Sequence, residues 1–211
     1  MHFTTRQEAG RRLAEALEQF RGDKPVVLAL ARGGVVLGAK IARTLDAPLG
    51  VVLVRKLSYR SYPEYAIGAV AEDGEAIYND DEPATRDEKW RESAEVEARH
   101  IIADRKQLYY GNGFIPPAIE NKTVILVDDG IATGLSMQAA IQAARRKHPK
   151  RLIVATPVAA SDSIDRLTAL ADEVVVLANA ENFLGSVGAH YDNFPQVNDN
   201  EVKTLLQESL L

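Results

Sequence analysis

Residues 124–137 read VILVDDGIATGLSM, and the succession of residue types in that stretch decides the fold class. Thr123 to Val127 is apolar and β-branched with no polar alternation, as in a strand buried on both faces. Asp128 and Asp129 end the run. Small residues follow at Gly130, Ala132 and Gly134, with hydroxyls at Thr133 and Ser136, and a helix is expected from about Leu135 to Lys147.

The same strand–turn–helix order recurs on either side. PVVLAL at 25–30 is a buried strand broken by Arg32-Gly33-Gly34, and a helix follows from about Val35 to Leu45. LGVVLV at 49–54 reads as a second buried strand. Arg151–Ala155 and Glu173–Leu177 read as two more, separated by a helix from Ser161 to Leu170. Alternation of this kind predicts an α/β fold, a mostly parallel central sheet with helices on both faces. Ligands of such sheets bind beyond the C-terminal ends of the strands, which directs attention to the loops after residues 30, 54, 127 and 156.

The remaining segments fill in one domain over residues 1–211. Thr4 or Thr5 can cap a first helix running to about Phe20, with Leu13, Ala16, Leu17 and Phe20 at helical spacing. RKLSYRSYPEY, 55–65, reads as a loop. AIGAVA and EAIYND flank Asp73-Gly74, a hairpin turn signal. The charged stretch 84–110 reads as a solvated helix whose apolar stripe includes Trp90, Ile101 and Leu108, ended by Gly111-Asn112-Gly113. Residues 179–198 read as irregular, and a short helix follows.

Composition narrows the class of function. Net charge is -5, so no general field draws the chain to nucleic acid or to an anionic membrane. Cysteine is absent, which removes thiol catalysis, disulfides and cysteine-bound zinc. The start, MHFTTRQEAGRR, has no apolar signal-peptide core, and the apolar runs are too short to cross a bilayer. The expected setting is cytoplasmic, without nucleic-acid or membrane partners.

The loop after the third core strand carries the chemistry. Glycine and alanine let a backbone approach a ligand closely. The first N–H groups of a helix lack internal partners, and the helix dipole favours an anion there, so the turn is a phosphate cradle. Ionised carboxylates only accept hydrogen bonds, so Asp128 and Asp129 suit the cis-diol of a ribose or a metal ion. Diol and phosphate lie at the two ends of one ribose 5-phosphate, so one loop can grip both. A capped turn with solvated aspartates is the bland alternative, although adjacent carboxylates repel and a plain turn needs no such pair. A P-loop would need a lysine before the helix, and GxGxxG is absent from the chain.

VILVDDGIATGLSM resembles the phosphoribosyl-diphosphate (PRPP) signature of the type I phosphoribosyltransferases: a hydrophobic strand, two acids, then a small-residue loop with Thr-Gly. The order of elements over roughly residues 25–180 resembles the same family. The resemblance implies that Asp128 and Asp129 take the ribose hydroxyls, and that Ala132, Thr133, Gly134, Leu135 and Ser136 take the 5-phosphate. It implies Mg²⁺ carried in on the diphosphate, with Asp128 and Asp129 as candidate contacts, and a homodimer. Members acting on 6-oxopurines have an acid where this chain has Ala132, so the acceptor stays open.

By the same resemblance, Arg32 with Gly33 and Gly34 forms a diphosphate-binding loop, where the arginine fork and bare amides suit phosphate oxygens. Lys56, at the end of the second core strand, would stabilise the departing diphosphate. Residues 55–66 stand in the place of a mobile loop, with Tyr59, Arg60 and Tyr62 either contacting ligand or packing on a neighbouring subunit. Residues 179–198 would be a hood over the acceptor, where Phe183, Tyr191 and Phe194 either stack on a base or seal the core. His190 could donate to an acceptor or simply belong to the fold. The tail is similar to that of a sub-group without an assigned acceptor, sometimes fused to a hydrolase domain; no GxSxG occurs in this chain. The expected activity is transfer of a 5-phosphoribosyl group to a nitrogen heterocycle. The competing reading is a PRPP-sensing regulator without catalysis, against which stand the missing helix-turn-helix signature and basic patch.

Overall fold

A computed structural model describes residues 1–58, 66–79, 81–111, 114–178 and 183–209. Five strands form a parallel sheet: β1 (Val26–Leu30), β2 (Leu49–Val52), β6 (Thr123–Val127), β7 (Arg151–Thr156) and β8 (Glu173–Val176), in the order β2-β1-β6-β7-β8. The intervening β3 (Val54–Ser58), β4 (Ala66–Ala71) and β5 (Ile77–Tyr78) make a separate antiparallel sheet. Helices are α1 (Arg6–Ala16), α2 (Gly33–Leu45), α3 (Glu88–Tyr110), α4 (Leu135–Arg145), α5 (Ser161–Thr168) and α6 (Asp199–Glu208).

The continuous apolar runs are continuous because both faces of the parallel sheet are covered. Val27, Ala29, Ile125, Val127, Ile153 and Ala155 pack with Leu37 and Ile41 of α2 and Leu13 of α1. Their alternating neighbours Leu28, Leu30, Val124, Leu126, Leu152 and Val154 pack with Met137 and Ile141 of α4 and Leu167 of α5. β1 and β6 are adjacent, Val26 opposite Val124 through Ala29 opposite Val127, so the turns after these two strands open side by side.

Three expectations need correction. LGVVLV is not one strand: the parallel ladder ends at Val52, and Val54 begins an antiparallel pairing opposite Ala71. Leu53 marks the exchange, its carbonyl accepting from Glu72 N–H at 3.0 Å. Val54 keeps the run apolar because it packs with Ala69 and Ala139 of the core beneath α4, so hydropathy carries no mark of the switch. Second, Arg55 and Lys56 therefore do not end a core strand or begin a loop; they lie within β3, with Lys56 opposite Ala69. Third, the buried stripe of α3 is Trp90, Ala98, Ile102 and Tyr109, while Leu108 is 38% exposed. The hairpin around Asp73-Gly74 is present, joining β4 to β5. The first helix stops at Ala16, and a 3₁₀ turn, Glu18–Asp23, carries the chain on past Phe20. Tyr59, Arg60 and Tyr62 lie outside the described residues, as do 179–182 of the expected hood.

Candidate functional site

Asp128 and Asp129 leave β6 at the C-terminal edge of the sheet, between the turn after β1 and the start of α4. The Asp128 N–H donates to Ala155 O at 3.3 Å, and the Asp129 N–H donates to Asp128 Oδ1 at 2.9 Å. Burial, and after it the charge of Asp129, push the Asp128 carboxyl well above the usual carboxylate range; the Asp129 N–H and the field of Lys56 work the other way. Asp128 keeps some accessible surface, so it is poorly hydrated yet reachable.

The two glycines of the first turn leave room for the end of β6 and the Asp129 carboxylate. A Cβ on Gly33 would lie 1.9 Å from Asp129 Oδ2, and one on Gly34 2.6 Å from Val127 O. Their absent side chains let the N-terminus of α2 close onto the end of β6. The Ala31–Arg32 peptide between β1 and this turn is cis. The Arg32 side chain reaches Asp199 Oδ2, at the head of α6, at 3.7 Å. Asp199 also pairs with Arg105 at 3.6 Å and accepts from the Tyr109 hydroxyl.

The loop after the acids is carried by the next β–α connection. Ile131 bridges to Ala159, its N–H donating to Val158 O at 2.9 Å. Ser163 Oγ donates to Ala132 O at 2.6 Å. Gly134 sits at φ 77°, a left-handed conformation that costs glycine little. It caps α4 without any side-chain hydrogen bond. Among the described residues, no hydrogen bond takes up the N–H groups of Thr133, Gly134, Leu135 or Ser136. A row of free amides at a helix start is an anion-binding arrangement.

Arg6 is a site residue that the sequence reading missed. It opens α1, whose start is fixed by Thr5 accepting from Glu8 N–H at 3.2 Å. Its Nε donates to Asp129 Oδ2 at 2.6 Å and its Nη1 to Pro195 O at 2.6 Å. The guanidinium lies 3.6 Å from the centre of the Phe194 ring. The available signal was position: Arg6 shares a helical face with the buried Ala9 and Leu13.

Within residues 183–197, Val187 and Tyr191 touch the acid loop. Val187 sits where a Cβ on Gly130 would come, 2.3 Å from its Cγ1. Tyr191 is buried and donates its hydroxyl to Asp129 O at 2.6 Å; burial pushes its phenol far above the usual value. Its ring stands between Phe194, 4.7 Å away centre to centre, and Phe3, 5.6 Å away. Tyr191 therefore braces the acid loop with its hydroxyl, and its ring is engaged in the core. Phe183 stacks on His190. His190 is buried, accepting from Leu184 N–H at 3.0 Å and facing Met1 O, which makes it part of the frame. A cleft of about 1130 Å³ between α2 and α6, lined by residues such as Lys40, Arg43 and Glu201, does not include the acids.

The acid pair and the free amides thus share the one turn between β6 and α4, at the C-terminal edge of the parallel sheet. The chain belongs to the phosphoribosyl transferase domain family, whose model matches residues 4–193. It is 38% identical over 208 residues to Mycobacterium tuberculosis proteins from two strains that carry the name phosphoribosyl transferase provisionally. That match takes in 98% of this chain and 47% of theirs, so the chain spans about half the length of the curated relatives it matches. Its fold is similar to the crystal structure of TT1426 from Thermus thermophilus, with a TM-score of 0.81, 40% identity and 99% of each chain covered. Among the described residues no helix is long and apolar enough to cross a membrane.

Proposed function

We propose that this chain transfers a 5-phosphoribosyl group between PRPP and a nitrogen-heterocycle acceptor, with release of diphosphate. The observation that carries the reading is the juxtaposition, within one turn, of the Asp128–Asp129 carboxylates and the unpaired amides of residues 133–136. A ribose 5-phosphate spans such a turn, its hydroxyls donating to the carboxylates and its phosphate accepting from the amides.

The roles follow from position. Asp128 and Asp129 fix the sugar, and Ala132, Thr133, Gly134, Leu135 and Ser136 anchor its phosphate. Gly33 and Gly34 keep the turn after β1 against the acids, which leaves its backbone beside the carbon where the bond breaks. Arg32, held near Asp199, is the guanidinium nearest in sequence to that turn and would serve the diphosphate by leaving its carboxylate partner. Lys56 is exposed on β3 and its field reaches Asp128, a place from which it offsets charge on the leaving group. The bond from C1 of the ribose to a diphosphate oxygen breaks, the ring gains oxocarbenium character, and the acceptor nitrogen supplies the new bond. Positioning and electrostatics account for most of such a rate.

Mg²⁺ fits the donor set only as an ion that brings its own ligands. Among the described residues no three His, Cys, Asp or Glu side chains gather into a metal site, and one oxygen of Asp129 is taken by Arg6. Asp128 would contribute a hard oxygen to an ion otherwise bound by diphosphate and water, as Mg²⁺ commonly is. Such an ion would neutralise the departing charge. Homodimer formation and a cytoplasmic setting belong to the same proposal, by analogy with the family.

The test is to mix the protein with PRPP, Mg²⁺ and a panel of nitrogenous bases and to measure diphosphate release. Acceptor-dependent release supports the reading. Saturable PRPP binding without turnover on any acceptor would instead favour a PRPP-sensing regulator.

A further inference from the structure

Arg6 stands outside every motif of the sequence, yet its guanidinium is in direct contact with the acid pair. Its side chain is 9% exposed and that of Asp129 14%, so both charges are largely removed from water. Removing one partner of such a pair strands the other, which is costly. The contacts around Arg6 are directional. Nε holds Asp129 Oδ2, Nη1 holds Pro195 O, and the flat face of the guanidinium rests on Phe194. Phe194 stacks on Tyr191, whose hydroxyl holds the carbonyl of Asp129. Asp192 and Asn193 donate their N–H groups to Phe3 O at 2.9 Å and Thr4 O at 3.0 Å, so the residues just before α1 pair with the same segment.

We propose that Arg6 is a positioning residue that latches the segment 191–195 to the acid pair and fixes the Asp129 carboxylate, so that the two acids divide their work. Asp129 gives one oxygen to the latch and presents the other. Asp128, which no cation pairs directly among the described residues, keeps its carboxyl group for the ligand. The planar fork is what the site requires, because one group must satisfy a carboxylate and a carbonyl at once while lying flat on a ring. A lysine keeps the charge and has donors enough, but it lacks the rigid fork and the flat face that rests on Phe194. The ligand half of this inference rests on the PRPP reading above; the latch half does not.

Two measurements separate them. The first is PRPP affinity, with Mg²⁺ present, for Arg6→Lys, Arg6→Met, Asp129→Asn and the double variant Arg6→Met/Asp129→Asn. Arg6→Met is expected to weaken binding on the order of tenfold or more, and Arg6→Lys by less. A residue acting through Asp129 gives non-additive losses, so the double variant binds about as well as Asp129→Asn alone. Additive losses overturn the positioning role. The second is amide hydrogen exchange of the ligand-free protein, in which Arg6→Met speeds exchange at Asp192 and Asn193 while the amides of β6 and β7 stay protected. Unchanged exchange at those two residues overturns the latch. If the wild-type chain fails to bind PRPP, the proposed function falls and the exchange experiment alone judges Arg6. If Arg6→Met does not fold, Arg6→Lys is the variant on which both comparisons are made.

Discussion

A methyl group on Gly33 would lie 1.9 Å from Asp129 Oδ2 and 2.7 Å from its Cγ. Helix α2 therefore starts as close to the acid pair as a backbone can. Gly33→Ala leaves two responses: the carboxylate swings off Arg6, or the helix start retreats from β6. Overpacking of this kind costs about 1–3 kcal/mol, and either response spoils the sugar contacts. The expected result is a loss of stability of that size in urea unfolding, with PRPP affinity down about tenfold or more by calorimetry. Gly34→Ala meets a carbonyl oxygen at 2.6 Å and the Asp128 backbone, neither of which can rotate away, so its stability loss is expected to be the larger.

Ionising Asp128 is costly, because burial and Asp129 both oppose its charge. Asp128→Asn removes that cost and keeps the shape. Stability and function should then move in opposite directions. The ligand-free melting temperature is expected to rise by a few degrees, on the order of 2–4 °C. PRPP affinity is expected to fall by about 10- to 100-fold, because hydrogen bonds to a charged group are worth about 1.5–3 kcal/mol. Differential scanning calorimetry with and without PRPP reads both. Equal loss of stability and affinity would mean that Asp128 is a structural acid.

Glu72, in the turn between β4 and β5, gives a pH dependence away from the site. Its Oε2 is buried without a hydrogen bond, and Lys106 Nζ lies 3.3 Å from it as an ion pair. Burial is the largest influence and raises its carboxyl above the ordinary 4.5; Asp73 adds to the rise, while Lys106 and Lys147 oppose it. In the window just above that ordinary value the folded protein holds a proton that the unfolded chain has released. Stability from this group is therefore full at lower pH and declines as pH rises through the folded value. Glu72→Gln should flatten that decline and melt no lower than wild type at neutral pH. Melting curves from pH 4 to pH 8 (roughly the span over which a raised carboxyl titrates) would show it.

The parts of the fold that could be read from sequence are those where one residue type has one physical use. Buried strands of a parallel sheet are apolar on both faces, so β1, β6 and β7 announce themselves. The turn at Asp128–Gly134 does so through its acids and small residues. The change of sheet at Leu53 could not be read, because Val54 meets apolar neighbours on the antiparallel side just as Val52 does on the parallel one. Arg6 was hidden for a different reason: its partner lies 123 positions along the chain, and a lone arginine near a helix start ordinarily faces water. For Tyr191 the sequence leaves stacking on a base and sealing the core both open, because periodicity cannot tell a ring that faces a ligand from one held between Phe3 and Phe194.

Lys56 offers the sharpest separation of binding from chemistry. On β3 it is exposed, and its field reaches Asp128. Its neighbour Arg55 is exposed too, but successive side chains of a strand point to opposite faces. A cation that meets charge developing on the leaving diphosphate acts in the transition state more than on the bound ground state. Lys56→Met is therefore expected to lower kcat about 100-fold, by analogy with the loss of one transition-state donor, while the KM for PRPP shifts only a few-fold. Lys56→Arg should recover part of the rate, and Arg55→Met should leave kcat within about twofold, as an ordinary surface change does. Steady-state diphosphate release with whichever base supports turnover is the measurement. A loss confined to KM in Lys56→Met, or an equal loss of kcat in Arg55→Met, would move Lys56 out of the chemical step and leave it as part of the general field around the acids.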